Sequence, residues 1–293
     1  MGFESYHPAI NFIFFASVIA GTVCFNHPAF LAISWVCAFL YSVKRNGVKA
    51  LIFDLVLIPL ILVFASYYSG YTHFGLTVWR QNFIGNNMTM ESFVYGVTLG
   101  GIVASAVMWF SCMFSIFTAD KVVYLFGKIN PHFSLALSIV LRMVPRMKQE
   151  GKKISAARKA IGRGINQGNP LRRFLNVLII ISMVITWLLE SFGTISDSMR
   201  SRGYSLRGRT AFSIYRFDNR DRSFVIAIFF CLVLLLMAVL LGQTRIIFDP
   251  RIIMKPFTPL TCLFCAGYAA LCLMPMVLEL ASEYSFRKSR RAL

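Results

Sequence analysis

The sequence predicts an all-α, polytopic membrane protein with about six transmembrane helices and a helical region on the cytoplasmic side. Three observations predict it. Hydrophobic residues make up 57% of the 293-residue chain, and its mean hydropathy is +0.66. That is more apolar surface than a soluble domain buries. The apolar residues also come in runs near the roughly 20 residues a helix needs to cross a bilayer. Finally, the net charge is +18 and it is concentrated: residues 142–222 hold 17 Lys and Arg against five acids, a net +12. In a hydrophobic chain such an excess follows the positive-inside rule before it implies nucleic acid, so no nucleic-acid partner is expected. The chain divides into N-terminal transmembrane helices (1–118), a cytoplasmic or interfacial helical region (119–222) and a C-terminal transmembrane hairpin with a basic tail (223–293).

Residues 1–9 contain Glu4 and no basic cluster, so the first apolar segment is expected to be retained rather than cleaved. Ile10 to Phe25 is the first span. Asn26-His27-Pro28 turns the chain, with Pro28 suited to the first position of the next helix. Ala29 to Val43 is a short second span. Lys44, Arg45 and Lys49 around Asn46-Gly47 mark a cytoplasmic turn. Leu51 to Tyr68 is the third span; Asp54 near its start lies within snorkelling reach of the interface. Ser69 to Glu91 is polar, carries the single basic residue Arg80 and reads as external; its Asn87-Met88-Thr89 matches a glycosylation sequon. Phe93 to Thr118 is the fourth span. Gly96, Gly100, Gly101 and Ala104 give it a small-residue stripe for close helix contact.

The basic block follows. Pro131 to Arg142 is apolar but too short to span. From Arg146 to Ile165, Met147, Gly151, Ile154, Ala157 and Ile161 share one helical face, while Lys148, Lys152, Lys159 and Arg163 share another. A helix with a basic outer face lies beneath a bilayer or faces a soluble protein. Asn166 to Pro170 breaks it. Phe174 to Phe192 is apolar enough to span, but crossing would strand one of its two basic flanks outside. The parity argument therefore makes it a long helix that dips into the membrane–cytoplasm boundary or packs under the other spans. It continues to about Arg202, with Leu188, Phe192, Ile195 and Met199 on one face. Ser223 to Leu241 and Leu260 to Leu280 are the fifth and sixth spans, joined by an external loop, Gln243 to Thr258. Arg287, Lys288, Arg290 and Arg291 close the chain, so both termini are expected in the cytoplasm.

Catalytic signatures are missing. No Walker A sequence is present; the glycine-rich GRGINQG follows a helix and lacks Gly-Lys-Ser/Thr. No His, Cys, Asp and Glu set has metal-ligand spacing, and GxSxG is absent. The four histidines are scattered and three adjoin prolines. All seven cysteines lie in apolar segments, and the Cys262–Cys265 pair has no second ligand pair beside it. No enzyme activity, cofactor or metal is expected.

Two helix ends stand out. Ser201-Arg202-Gly203 closes the long helix, with Arg200 in its last turn. Ala160-Ile161-Gly162-Arg163 closes the preceding one, with Arg158 a turn earlier. A glycine after a helix and a cation near the negative end of its dipole are ordinary terminators. Their repetition in one cytoplasmic layer would also present charges for partner carboxylates to grip.

On these residues the chain resembles the transmembrane T component of energy-coupling factor (ECF) importers of vitamins and metal ions. SMRSRGYSLRGRTAFSIYRFDNRD resembles the region after that family's second coupling helix; HPAINFIFF and HPAFLAIS resemble its beginning. The family carries two Ala-Arg-Gly-type signatures. The second maps onto Ser201, Arg202 and Gly203. The first maps onto Ala160, Ile161 and Gly162, with Ile161 in place of arginine and Arg158 and Arg163 flanking it. The resemblance implies a multi-pass protein of a bacterial-type cell membrane that binds no nucleotide. It implies two cytoplasmic ABC-type ATPase subunits docked at the two helix ends and a membrane S component that captures substrate. ATP-driven closure would then move the two helix ends and reorient the S component.

Overall fold

The structure, a computed structural model, describes residues 2–72, 74–81, 87–127, 131–204, 215, 217–254 and 256–291. The Gly208-Arg209-Thr210 part of the second motif's continuation lies outside the described residues, as do His73, Arg216 and Lys255. Nine α-helices are present among them: α1 (Pro8–Cys24), α2 (Pro28–Asn46), α3 (Val48–Tyr71), α4 (Met90–Ile116), α5 (Ala119–Gly127), α6 (Pro131–Ala160), α7 (Pro170–Ser201), α8 (Asn219–Leu240) and α9 (Pro259–Arg291). Two short antiparallel strands, β1 (Val78–Gln81) and β2 (Asn87–Thr89), lie in the segment read as a plain polar loop. Thr89 then caps α4, its hydroxyl accepting from the Ser92 amide.

Five helices are long and apolar enough to cross a membrane: α3, α4, α7, α8 and α9; α1 is a shorter apolar helix. The protein is a multi-pass membrane protein. Two compact units divide the chain. One comprises Met1–Thr118 and Tyr215–Leu293, so it contains α1–α4, α8 and α9. The other is Ala119–Ile214, with α5–α7.

In the first unit the predicted glycine stripe is the seam of α4. A Cβ on Gly96 would lie 2.9 Å from the Ala65 Cα, and one on Gly100 3.0 Å from the Ile61 Cγ2, both on α3. One on Gly101 would lie 3.0 Å from the Leu31 Cδ2 on α2. These backbones approach closely because no side chain stands between them. Around the seam Phe14, Phe15, Phe30, Trp109 and Tyr268 form the buried aromatic core. Inside it the Thr22 hydroxyl lies 2.7 Å from the Ser34 hydroxyl and 3.0 Å from the Tyr268 hydroxyl. The Trp109 indole donates to Ser34 at 3.1 Å. Four helices thus share one knot of satisfied polar groups, which hydrocarbon surroundings demand.

The two ends of this unit are tied by different contacts. At one end Arg45 donates to Glu4 at 2.7 Å and lies 3.9 Å from Glu279, while Lys44 pairs with Glu283 at 3.2 Å. Arg45 also donates to Ser115 and Asn46 to Ser111, both near the end of α4. The Arg220 guanidinium sits 4.8 Å over the Tyr6 ring. The N-terminal segment, the α2–α3 turn and parts of α4, α8 and α9 therefore meet here. At the other end the Asn26 and His27 amides both donate to the Thr244 carbonyl. His27 packs on Phe257, and Tyr95 on Phe248. His7 and His27 each precede the proline that opens α1 or α2. Each accepts a backbone amide at Nδ1, from Ala9 and Ala29, so both are helix caps.

Asp54 departs from the sequence reading. It does not snorkel: it is 0% exposed and lies beside the Ser42 hydroxyl of α2, which is itself 0% exposed. Its helix turns it inward toward α2 and α4 because Ala50, Asp54 and Leu57 share the buried face of α3.

The amphipathic helix expected over Arg146–Ile165 is longer at its start and shorter at its end. It begins at Pro131 and stops at Ala160. Pro145 does not interrupt it. A proline within a helix removes one hydrogen bond, and here the ring lies on an exposed face. The predicted Leu188, Phe192, Ile195 and Met199 face of α7 is the half-covered one, while its opposite face, from Leu171 to Leu189, is exposed.

Candidate functional site

The helix ends in the second unit are built alike. At the end of α6 the Gly162 amide donates to the Lys159 carbonyl and the Arg163 amide to the Arg158 carbonyl, with Gly162 at φ +77°. At the end of α7 the Gly203 amide donates to Arg200 and the Tyr204 amide to Met199, with Gly203 at φ +75°. Both are Schellman turns, in which a left-handed residue satisfies the last helical carbonyls. The left-handed conformation is what requires glycine at 162 and 203. The same turn closes α8 at Gly242, where Gly242 donates to Val239 and Gln243 to Ala238, and no arginine is present. The turn alone is therefore a general terminator; what distinguishes the other two is what they carry.

Matching the turns position by position puts Ala160 with Ser201, Ile161 with Arg202, Gly162 with Gly203 and Arg163 with Tyr204. Arg202 occupies the last position before the glycine and is exposed. Its counterpart Ile161 is 76% exposed, an isolated apolar side chain in a polar turn. Arg163 is exposed one position further on. Arg158 is half-buried, and its Nε is enclosed without a partner. Arg200, in the last turn of α7, is exposed.

The two ends do not form one patch. α6 and α7 run antiparallel. The first half of α6 lies beside the end of α7, a Cβ on Gly151 would lie 3.6 Å from the Val184 Cγ2, and the Asn176 side-chain amide donates to the Gly164 carbonyl at 3.1 Å. The connection is tied down, with the Gln167 side chain accepting from the Gly164 amide at 2.7 Å and Arg173 donating to the Gly168 carbonyl at 3.0 Å. One motif sits at this connection and the other at the far end of α7. At about 1.5 Å per residue they stand roughly 45 Å apart.

The far end also holds a feature that residue spacing did not single out. A groove of about 350 Å³ separates the first half of α6 from the end of α7. Arg142, Arg146, Met143, Met199, Arg202 and Tyr204 are among its lining residues, and none of the lining residues is acidic. Among the described residues, no group of His, Cys, Asp and Glu could hold a metal ion.

An all-helical, multi-pass membrane protein with a basic antiparallel helix pair narrows the class of protein, and comparison with known proteins narrows it further. The chain is a distant relative of proteins described as "Energy-coupling factor transporter transmembrane protein EcfT". It is 30% identical over 112 residues to the one from Lactococcus lactis subsp. cremoris, covering 38% of this chain and 42% of that protein. It is 32% identical over 89 residues to the one from Lactobacillus helveticus, covering 30% of this chain and 32% of that protein. The matches thus span less than half the length of these curated relatives. No family profile matches the chain.

Proposed function

We propose that the protein is the energy-coupling transmembrane subunit of an ECF-type importer. It transmits movement of two cytoplasmic ABC-type ATPase subunits to a membrane S component that binds a vitamin or a metal ion. One observation carries the reading: an EcfT-like chain builds the same glycine turn at both ends of one antiparallel helix pair, with an exposed arginine at or beside each. Ends roughly 45 Å apart suit two partner subunits better than one. Ser201, Arg202 and Gly203, with Arg200, form the first docking end. Ala160, Ile161, Gly162 and Arg163 form the second, and Arg163 supplies the exposed cation there while half-buried Arg158 supports the turn. An exposed guanidinium offers a fixed planar fork to a carboxylate on the ATPase.

The protein lies in the cell membrane with both termini in the cytoplasm. Supporting this, Glu4, Glu279 and Glu283 meet Lys44 and Arg45 at one end of the first unit. That end carries the lysines and arginines that the positive-inside rule keeps on the cytoplasmic side.

The test is co-expression with candidate ATPases and recovery from membranes. Arg202→Glu is expected to insert normally and to lose at least one ATPase and substrate uptake. Normal ATPase yield with full uptake would sink the reading and leave a stand-alone transporter or a membrane scaffold.

A further inference from the structure

We infer that Arg142 and Arg146 of α6 act together with Arg202 as one three-guanidinium groove for an acidic, amphipathic segment of the ATPase docked at that end. The inference rests on the docking reading above and specifies its chemistry. The four-residue spacing places Arg142 and Arg146 on one face of α6, and both line the groove that Arg202 closes from α7. All three are exposed, and among the described residues none is ion-paired. Like charges gathered without a carboxylate repel one another, so the groove is set up for an anionic occupant that is not part of it. Its lining is also partly apolar, with Ile139, Met143, Ile195 and Met199 beside the arginines and Tyr204. A bare inorganic anion gains nothing from such a lining, whereas a helix bearing carboxylates and an apolar anchor fits both parts. The surrounding unit offers little competition, since residues 119–214 carry 16 Lys and Arg against four acids. Its ordered neighbours favour a protein segment over loose lipid contact. The arginines stand along a defined cleft rather than spread over the exposed outer face that Lys148 and Lys152 occupy.

The experiment uses the full chain in nanodiscs, titrated with the purified ATPase pair. Arg142→Glu with Arg146→Glu is expected to weaken binding by about tenfold or more, the scale of losing charge-assisted contacts. Lys148→Glu with Lys152→Glu makes the same change in charge outside the groove and is expected to weaken it by less than about twofold, as for exposed charges. Arg142→Gln with Arg146→Gln, a gentler pair, is expected to flatten the salt dependence of binding. Equal weakening by the two Glu pairs would mean general attraction and overturn the inference. So would unchanged ATPase binding with loss of bound anionic lipid by native mass spectrometry. If Arg202→Ala abolishes binding while both groove variants keep it, the groove assignment falls and docking at Arg202 stands. If Arg202→Ala binds normally as well, the docking reading itself falls.

Discussion

Gly203→Ala tests whether the end of α7 is a terminator or a contact. The residue sits at φ +75°, where an L side chain crowds the following carbonyl at a cost of about 1–2 kcal/mol. Gly162 (φ +77°) and Gly242 (φ +64°) hold the same conformation, so alanine carries a similar cost at each. At Gly162 a Cβ would meet nothing within 4 Å, so the penalty there is conformational alone. A loss of that size lowers a melting temperature by a few degrees, at about 2–4 °C per kcal/mol for a chain of this order of size. All three variants should therefore show small, comparable shifts in detergent by fluorescence-detected size exclusion.

ATPase retention should separate them. Opening the turn at Gly203 moves the Arg202 backbone and should reduce co-purified ATPase severalfold. Gly242→Ala opens an identical turn that carries no arginine and should leave retention unchanged. Equal retention in all three, or full retention in Gly203→Ala, would refute the claim that the α7 end is a contact.

Other perturbations have defined outcomes. Gly96→Leu drives a side chain into the Ala65 backbone, 2.9 Å from where its Cβ would begin. It should destabilise the first unit by about 1–3 kcal/mol, read as a lower melting temperature and poor monodispersity. Asp54→Asn replaces a fully buried carboxyl beside Ser42 with a neutral amide of the same shape, and it should hold or raise stability by up to about 3 kcal/mol. A clear loss would reveal a partner for the carboxylate. Ile161→Arg places a guanidinium at an exposed position that no packing depends on. It should leave stability within about 0.5 kcal/mol and hold or increase ATPase retention at the α6 end. Burial lowers the His27 pKa below its usual value, and its Nδ1 must stay unprotonated to cap α2. The unfolded chain then takes the proton first, so this contribution is present above about pH 6.5 and is lost as pH falls below it. His27→Asn, which keeps an acceptor, should flatten that part of the melting curve against pH.

The membrane helices were legible because their signal is local. An apolar run and a proline at the first helical position act through neighbours a few residues away, and the helices fall where these features put them; the Gly96/Gly100/Gly101 stripe marked a contact face, though its partners on α2 and α3 lie far off in sequence. Less was visible where a rule has an exception set by tertiary context. Pro131 to Arg142 read as a short apolar run apart from the helix over Arg146–Ile165, yet α6 is continuous through Pro145, which puts Arg142 on the same helix as Arg146 and Arg158. Asp54 looked close enough to an interface to reach it. Whether a side chain turns out or in depends on the helix's rotation against α2 and α4, which no linear pattern specifies. The two glycine-bearing helix ends were found as a repeat of residue types. Their separation was not visible, because the antiparallel course of α6 and α7 comes from contacts such as Gly151 to Val184, far apart in sequence.

That antiparallel course also bears on the one helix whose hydropathy and neighbours disagree. Taken alone, α7 is apolar and long enough to cross a bilayer. It is not alone: α6 lies along it, and the middle of α6 carries Arg142, Arg146, Lys148, Glu150, Lys152 and Lys153. Of these, among the described residues, only Lys153 and Glu150 pair, at 2.6 Å. Carrying the other four cations to the centre of a bilayer would cost on the order of 10 kcal/mol at about 2.5 kcal/mol or more each. The gain from burying the exposed face of α7 in lipid is available equally if that face lies flat on the bilayer surface or against a membrane partner, where α6 stays wet. A hydropathy window scores one helix, whereas the solvent is chosen by the pair. The basic partner that α7 cannot shed supports the proposal that this helix lies at the membrane surface and does not span.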